Sequence, residues 1–369
     1  MSMVKKTFYL ALSLIGVIFL LLVGLFLSQR SDIEVTKVTD CLSDSKVTVY
    51  CEFSKPEDIV VLPDNRHLLI SEFGAITPLS PENLPGQISL FDTDLLEKKQ
   101  IKIALGDNGW GQESCKRDDL MLSPHGIDLN QRSDGRYQLA VVNHMPRETI
   151  EMFELINLHN AWSLIWRGCI DAPKLGYFND VALKSDGSFF TTHMYERGLS
   201  YLSLIYISYT KPDTGFAYQW DAEGGFIKVP NTDGSFPNGI SISDDEKNLF
   251  INYVFNHRTS KLNLENLSVE AEYFSKGTPD NSTIDGDFIW VATQDNTGTD
   301  LLIHCDETVV QCSLPFTIFK LRQSDLSEVA SFSFAQTQIG SVTVAVPHKN
   351  KVWLGTFLGD RMASFYNEN

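Results

Sequence analysis

The chain has 369 residues, 43% of them hydrophobic, and a formal net charge of -17 at pH 7. That length can bury a large core. The acidity argues against nucleic acid and anionic membrane surfaces as partners; plain solubility would account for it, and so would a cation site.

Residues 1–30 differ from the rest. Lys5-Lys6 precede an uncharged apolar run from Thr7 to Ser28. A bilayer needs about 20 such residues, and positive charge ahead of the run keeps the N-terminus in the cytoplasm. A cleaved signal peptide would want a shorter apolar core and a small-residue cleavage site, which Leu25-Phe-Leu-Ser-Gln-Arg30 does not offer. The segment is therefore predicted to be a single-pass transmembrane helix, a signal anchor. A polar linker over 31–45 follows, then one folded domain over 46–369 on the periplasmic or extracellular side.

Six cysteines, Cys41, Cys51, Cys115, Cys169, Cys305 and Cys312, fit disulfide formation in an oxidising compartment. Connectivity stays open, although Cys305 and Cys312 flank one predicted hairpin loop and make the best pair. Without a Cys-x-x-Cys spacing, zinc fits poorly.

From residue 57 onward, short runs rich in Val, Ile, Phe and Tyr alternate with turn signals such as Asp-Gly and Asp-Asn. Glu148–Trp166 reads as strand or helix, and its strand-like neighbours decide for strand. One pattern recurs six times: a polar residue, a short apolar run, a polar turn and a second apolar run. The copies start near Glu57, His125, Asn179, Asn238, Asn281 and Gly340. Units of roughly 40–50 residues with several short strands are the signature of propeller blades, so the fold class is predicted as an all-β, six-bladed β-propeller.

In such a ring the first residues of equivalent strands converge at one end of the central channel. Here they are Glu57, His125, Asn179, Asn238 and Asn281, with Asp280 just before the last. Oxygen donors from Glu, Asp and Asn suit calcium. Successive strand side chains point to opposite sides, so Asp58 and Asp180 would serve a second ion. At any single position, an Asp or Asn that merely makes a turn is the simpler explanation. Five aligned positions together point to a site. His125 and His144 lie on the two strands of one hairpin, and a neutral imidazole can act as general base. The other six histidines read as surface or packing residues. No nucleophile elbow, zinc helix or phosphate-binding loop is present.

Several of these segments resemble the paraoxonase family of calcium-dependent lactonases and arylesterases. They are Pro56-Glu-Asp-Ile-Val-Val-Leu-Pro63, Ser123-Pro-His-Gly-Ile127, Leu139-Ala-Val-Val-Asn-His144, Asn179-Asp180, Asn238-Gly-Ile-Ser-Ile-Ser243, Asp280-Asn281 and Gly340-Ser-Val-Thr-Val. The resemblance implies two calcium ions. A catalytic one would be held by Glu57, Asn179, Asn238, Asp280 and Asn281. A structural one would be held by Asp58, Asp180 and the backbone carbonyl of Ile127. It also implies a His125–His144 dyad above the catalytic ion and a retained N-terminal hydrophobic segment. The chain departs from the animal members at its C-terminus, which lacks the cysteine that would tie the last strand to the N-terminal region. It departs again at the pocket-rim segments Thr192–Glu196 and Gln294–Thr297.

The expected function is calcium-dependent hydrolysis of small-molecule lactones or aryl esters, with calcium as Lewis acid and the His dyad activating water. Two alternatives remain at this level: a gluconolactonase-like sugar-lactone hydrolase that needs no His pair, and a non-catalytic ligand-binding propeller at the membrane surface.

Overall fold

A computed structural model describes residues 33–75, 80, 84–159, 161–305 and 310–367, with residues 9, 12–17, 19–20 and 23–24 near the N-terminus. Six antiparallel meanders follow one another along the chain. Their first strands are Pro56–Val61, Pro124–Gln131, Phe178–Leu183, Pro237–Ile242, Thr278–Asp285 and Val342–His348. Each of these touches the first strand of the next sheet, and the sixth touches the first, so all six surround one axis. The fold is the expected six-bladed propeller.

The hydrophobic cores lie between blades, which leaves the axis to polar groups. Leu69 and Leu90 of blade 1 pack with Leu139 and Phe153 of blade 2. Val142 and Ile150 of blade 2 pack with Val181 and Phe189 of blade 3. Fully burying such a side chain stabilises by about 1.5–3 kcal/mol.

Blade 6 closes the ring by strand pairing. Thr48–Tyr50 pairs antiparallel with Met362–Tyr366 as its outermost strand, with Thr48 opposite Ser364. The Cys41–Cys51 disulfide braces the segment that carries this closing strand. Blade 2 has a fifth strand, Lys102–Leu105, parallel to Ala161–Asp171 at its outer edge. The Cys115–Cys169 disulfide pins the following loop to that edge. The expected Cys305–Cys312 bridge is present as well.

Two helices, Tyr201–Thr210 and Gly298–His304, interrupt the β pattern. Both are capped at their N-termini. The Ser200 side chain accepts from the Ser203 N–H, and Thr297 with Asp300 forms a capping box. Among the described residues no helix is long and apolar enough to cross a membrane. Half of the Thr7–Ser28 run lies outside the described residues, and the expected anchor draws no support from the rest.

Every first strand carries the same irregularity. The register against its neighbour slips by one residue between Pro56 and Asp58, Pro124 and Ile127, Phe178 and Val181, Pro237 and Ile240, Pro279 and Ser282, and Val342 and Val344. A bulge re-aims the side chains at the slip. Here it does so at equivalent positions of all six blades.

Glycines let these inner strands approach. A Cβ on Gly126 would stand 2.3 Å from Asp180 Oδ1 and 2.7 Å from the Asn179 carbonyl oxygen. Gly126→Ala is therefore expected to lower unfolding stability by about 1–3 kcal/mol, the usual cost of overpacking. Gly109→Ala, whose Cβ meets nothing within 4 Å, should change it little. Equal denaturation midpoints for the two variants would contradict this account of the inner-strand packing.

Candidate active site on the propeller axis

The slipped positions carry the side chains that converge at one end of the axis. They are Glu57, His125, Asn179, Asn238 and Asp280, with Thr343 in blade 6. Register thus puts Asp280, rather than Asn281, in the equivalent place of blade 5. Asn281 is the next residue and still reaches the site, its Nδ2 donating to Glu57 Oε1 at 2.9 Å. The Thr343 hydroxyl donates its hydrogen to the Glu57 carbonyl at 2.5 Å, tying blade 6 to blade 1. His125 Nε2 lies 3.4 Å from Asn179 Nδ2 and 3.8 Å from Glu57 Oε1. All six predicted residues at this end are buried.

Four oxygens here have no hydrogen-bond partner: Glu57 Oε2, Asn179 Oδ1, Asn238 Oδ1 and Asn281 Oδ1. An unsatisfied buried acceptor costs about 1–3 kcal/mol, and four in one place call for a shared positive ligand. Asp280 differs, since its Oδ2 accepts from Gln294 Nε2 at 2.6 Å. Among the described residues no three His, Cys, Asp or Glu side chains form a metal cluster by themselves. The set is completed by amide oxygens, and a group of neutral and anionic oxygens fits calcium far better than zinc.

Asp58 and Asp180 face the other way. With Ile127 and Asp128 they line a cavity of about 850 Å³ that Glu57, Asn179 and Asn238 do not line. Their outward carboxylate oxygens stitch neighbouring blades. Asp58 Oδ2 accepts from the Ile127 N–H at 2.7 Å, and Asp180 Oδ2 from the Ile240 N–H at 2.8 Å. Asp128 Oδ2 does the same with the Leu183 N–H at 2.6 Å. Among the described residues no Lys, Arg or His forms an ion pair with these three.

Burial pushes Asp58 up to about 7 and Asp280 up to about 8. Glu57 and Asp180 are held well above the usual carboxylate range, first by burial and then by neighbouring carboxylates. The imidazole of His125 is driven the opposite way, well below its ordinary value, first by burial and then by the neighbouring His144 ring. His125 is thus a neutral ring at physiological pH.

The His pair is in contact, His125 Nδ1 lying 2.9 Å from His144 Nε2. Both rings are held by aromatics. The Phe73 ring centroid is 4.6 Å from that of His125, and Tyr177 is 5.1 Å from His144. Phe73 and Gln294 also line a cavity of about 380 Å³, walled by Leu204, Ile205, Phe236 and Phe255. This apolar chamber lies under the two helices. Of the other histidines, His193 is a packing residue whose Nδ1 accepts from the Tyr177 N–H at 3.1 Å.

Glu148 went unnoticed in the sequence. Its Oε2 lies 2.9 Å from His144 Nδ1 and 2.7 Å from Arg197 Nη2. The spacing of four between His144 and Glu148 was visible, but in strand-rich sequence it carries no meaning until the turn between them is known.

What the fold and this cluster define is a six-bladed propeller with a polar axial site and a coupled histidine pair at its rim. The chain belongs to the arylesterase family, which it matches over residues 40–362. It is 27% identical over 207 residues to human serum paraoxonase/arylesterase 1, covering 55% of this chain and 54% of that protein. The chain thus spans about half the length of that relative. Chicken serum paraoxonase/arylesterase 2 is 26% identical over 259 residues, with 67% of each chain covered. The solved luciferin-regenerating enzyme superposes with a TM-score of 0.51 at 14% identity, covering 86% of this chain and 94% of that one. That likeness concerns the fold alone.

The raised carboxylates make a prediction about pH. A carboxyl group whose pKa is higher folded than unfolded binds more protons in the native state. Its contribution is present below the unfolded value near 4 and is lost as pH rises through the folded value of about 7 to 8. Chelator-treated protein should therefore melt at a lower temperature at pH 8 than at pH 5.5. Added calcium should remove that trend and release protons as it binds. A calcium-independent melting profile across this window would count against a cation on the axis.

Proposed function

We propose that the chain is a calcium-dependent hydrolase of lactones or aryl esters, holding two ions on the propeller axis. The observation that carries this reading is the placement of the neutral His125 against four partnerless oxygens. Glu57, Asn179, Asn238, Asp280 and Asn281 would hold the catalytic ion. Asp58, Asp180 and the backbone of Ile127 would hold the structural one on the far side. When bound, calcium supplies a Lewis acid for an ester carbonyl and offsets negative charge developing on its oxygen.

The chain's own groups do the rest. Nε2 of His125 faces the ring and takes the proton of the attacking water. His144 steadies His125 through its Nε2 contact and shares the resulting charge. The apolar chamber receives the acyl or aryl part of the substrate and keeps bulk water from it. Walls of Leu204, Ile205, Phe236 and Phe255 suit such a group and offer little to the hydroxyls of a sugar lactone. All six cysteines are paired, which supports residence outside the reducing cytoplasm. The Thr7–Ser28 run is proposed to tether the domain there; alkaline extraction should leave the chain in the membrane pellet, and its release would end the anchor proposal.

General base catalysis contributes about 10²–10⁴-fold. His125→Gln is expected to lower kcat on phenyl acetate and on an apolar lactone by that order, with calcium content unchanged. His144→Gln should cost less. Chelation should abolish turnover of both substrates, and calcium should restore it. Full activity in His125→Gln, or loss of its calcium, would rule out the role given to this residue.

A further inference from the structure

The hydrogen-bond chain does not end at His144. Glu148 is buried, and both of its carboxylate oxygens are engaged. Oε1 accepts the Phe178 N–H at 2.7 Å, and Oε2 receives Arg197 Nη2 at 2.7 Å and faces His144 Nδ1 at 2.9 Å. Phe178 opens the inner strand that carries Asn179, so the carboxylate is pinned to the wall of the ring itself. Arg197 is fixed in turn by its position over the Tyr177 ring, 5.7 Å from the centroid.

We propose that Glu148 is a positioning residue that sets the tautomer of both histidines, a proposal that rests on the hydrolase reading given above. A backbone amide and a guanidinium can only donate. Glu148 therefore accepts at both oxygens, and a His144 ring that carries a single hydrogen carries it on Nδ1. His144 Nε2 is then a bare acceptor. At 2.9 Å, His125 must donate to it from Nδ1. A neutral imidazole carries one hydrogen, so His125 Nε2, the nitrogen facing Asn179 and Glu57, is left with its lone pair. Without the carboxylate the pair could run in reverse, with His144 donating from Nε2. His125 would then present an N–H to the ring and could not accept a proton from water. One anchored carboxylate thus separates a competent dyad from an incompetent one, as the partner hydrogen bond on a ring nitrogen generally does.

The experiment uses the full-length, calcium-loaded chain with 15N-labelled histidine. Long-range 1H–15N correlation should show Nδ1 of both His125 and His144 as protonated and Nε2 of both as unprotonated. Glu148→Gln places an amide donor or a neutral acceptor beside His144. It is expected to lower kcat about 10–100-fold, the usual effect of losing a group that orients a working residue, with KM and calcium content unchanged. Glu148→Asp should recover part of kcat. An unprotonated His144 Nδ1 in the unaltered protein overturns the proposal even if Glu148→Gln fails to fold. So does a wild-type kcat in Glu148→Gln. If the tautomers are as assigned but no ester or lactone is turned over, the hydrolase reading fails while the tautomer assignment stands.

Discussion

The structure turns on negative charge confined to its axis. Ring closure brings six inner strands into contact around one line, and a one-residue bulge in each aims a polar side chain there. On top of burial, Asp58, Asp180 and Asp280 raise the proton affinity of Glu57, and Asp58 raises that of Asp180 and Asp280. Unpaired buried carboxylates are among the most costly groups a protein can hold. The inter-blade cores offset part of that cost, but they cannot remove the repulsion. Propeller closure and occupancy of the axis by cations or protons are therefore linked. The stitching bonds from Asp58, Asp128 and Asp180 to the next blade's backbone tie that occupancy to the angular spacing of the blades.

Much of this was legible in the chain because propeller blades repeat. The six segments that begin near Glu57, His125, Asn179, Asn238, Asn281 and Gly340 map onto the six inner strands. Alternation along Glu57-Asp58 and Asn179-Asp180 separates the two faces of the axis, as the two clusters of side chains do. The register of blade 5 was off by one, since Asp280 and Asn281 are both polar and only strand pairing distinguishes them. The missed features are non-local. Glu148 meets His144 through a turn, and meets Phe178 and Arg197 across 30 and 49 residues. Thr343 has the ring position, and its hydroxyl donates to the backbone of the neighbouring blade. The helices were missed because tertiary packing over a chamber, not periodicity, holds them. The Tyr201–Thr210 helix is apolar on all sides and shows no face in its sequence.

The axial groups and the chamber are built from different material. His125 sits at a bulge within a central strand, and His144 follows directly on the neighbouring strand, its N–H bonded to the Ser123 carbonyl at 3.1 Å. The axial oxygens and the histidine pair therefore share one rigid frame, and sites on strands are held more tightly than sites on loops. The chamber above is made of two helices and the connections that carry Phe73, Phe236 and Phe255. Changes there alter what enters without disturbing how the axis is charged. Phe73 and Gln294 are the exceptions, because each touches both parts. Phe73 packs on His125, and Gln294 holds Asp280 while lining the chamber. A group pressing on either one from the chamber acts directly on His125 or on Asp280. These two side chains are where the chamber and the axial groups are physically joined.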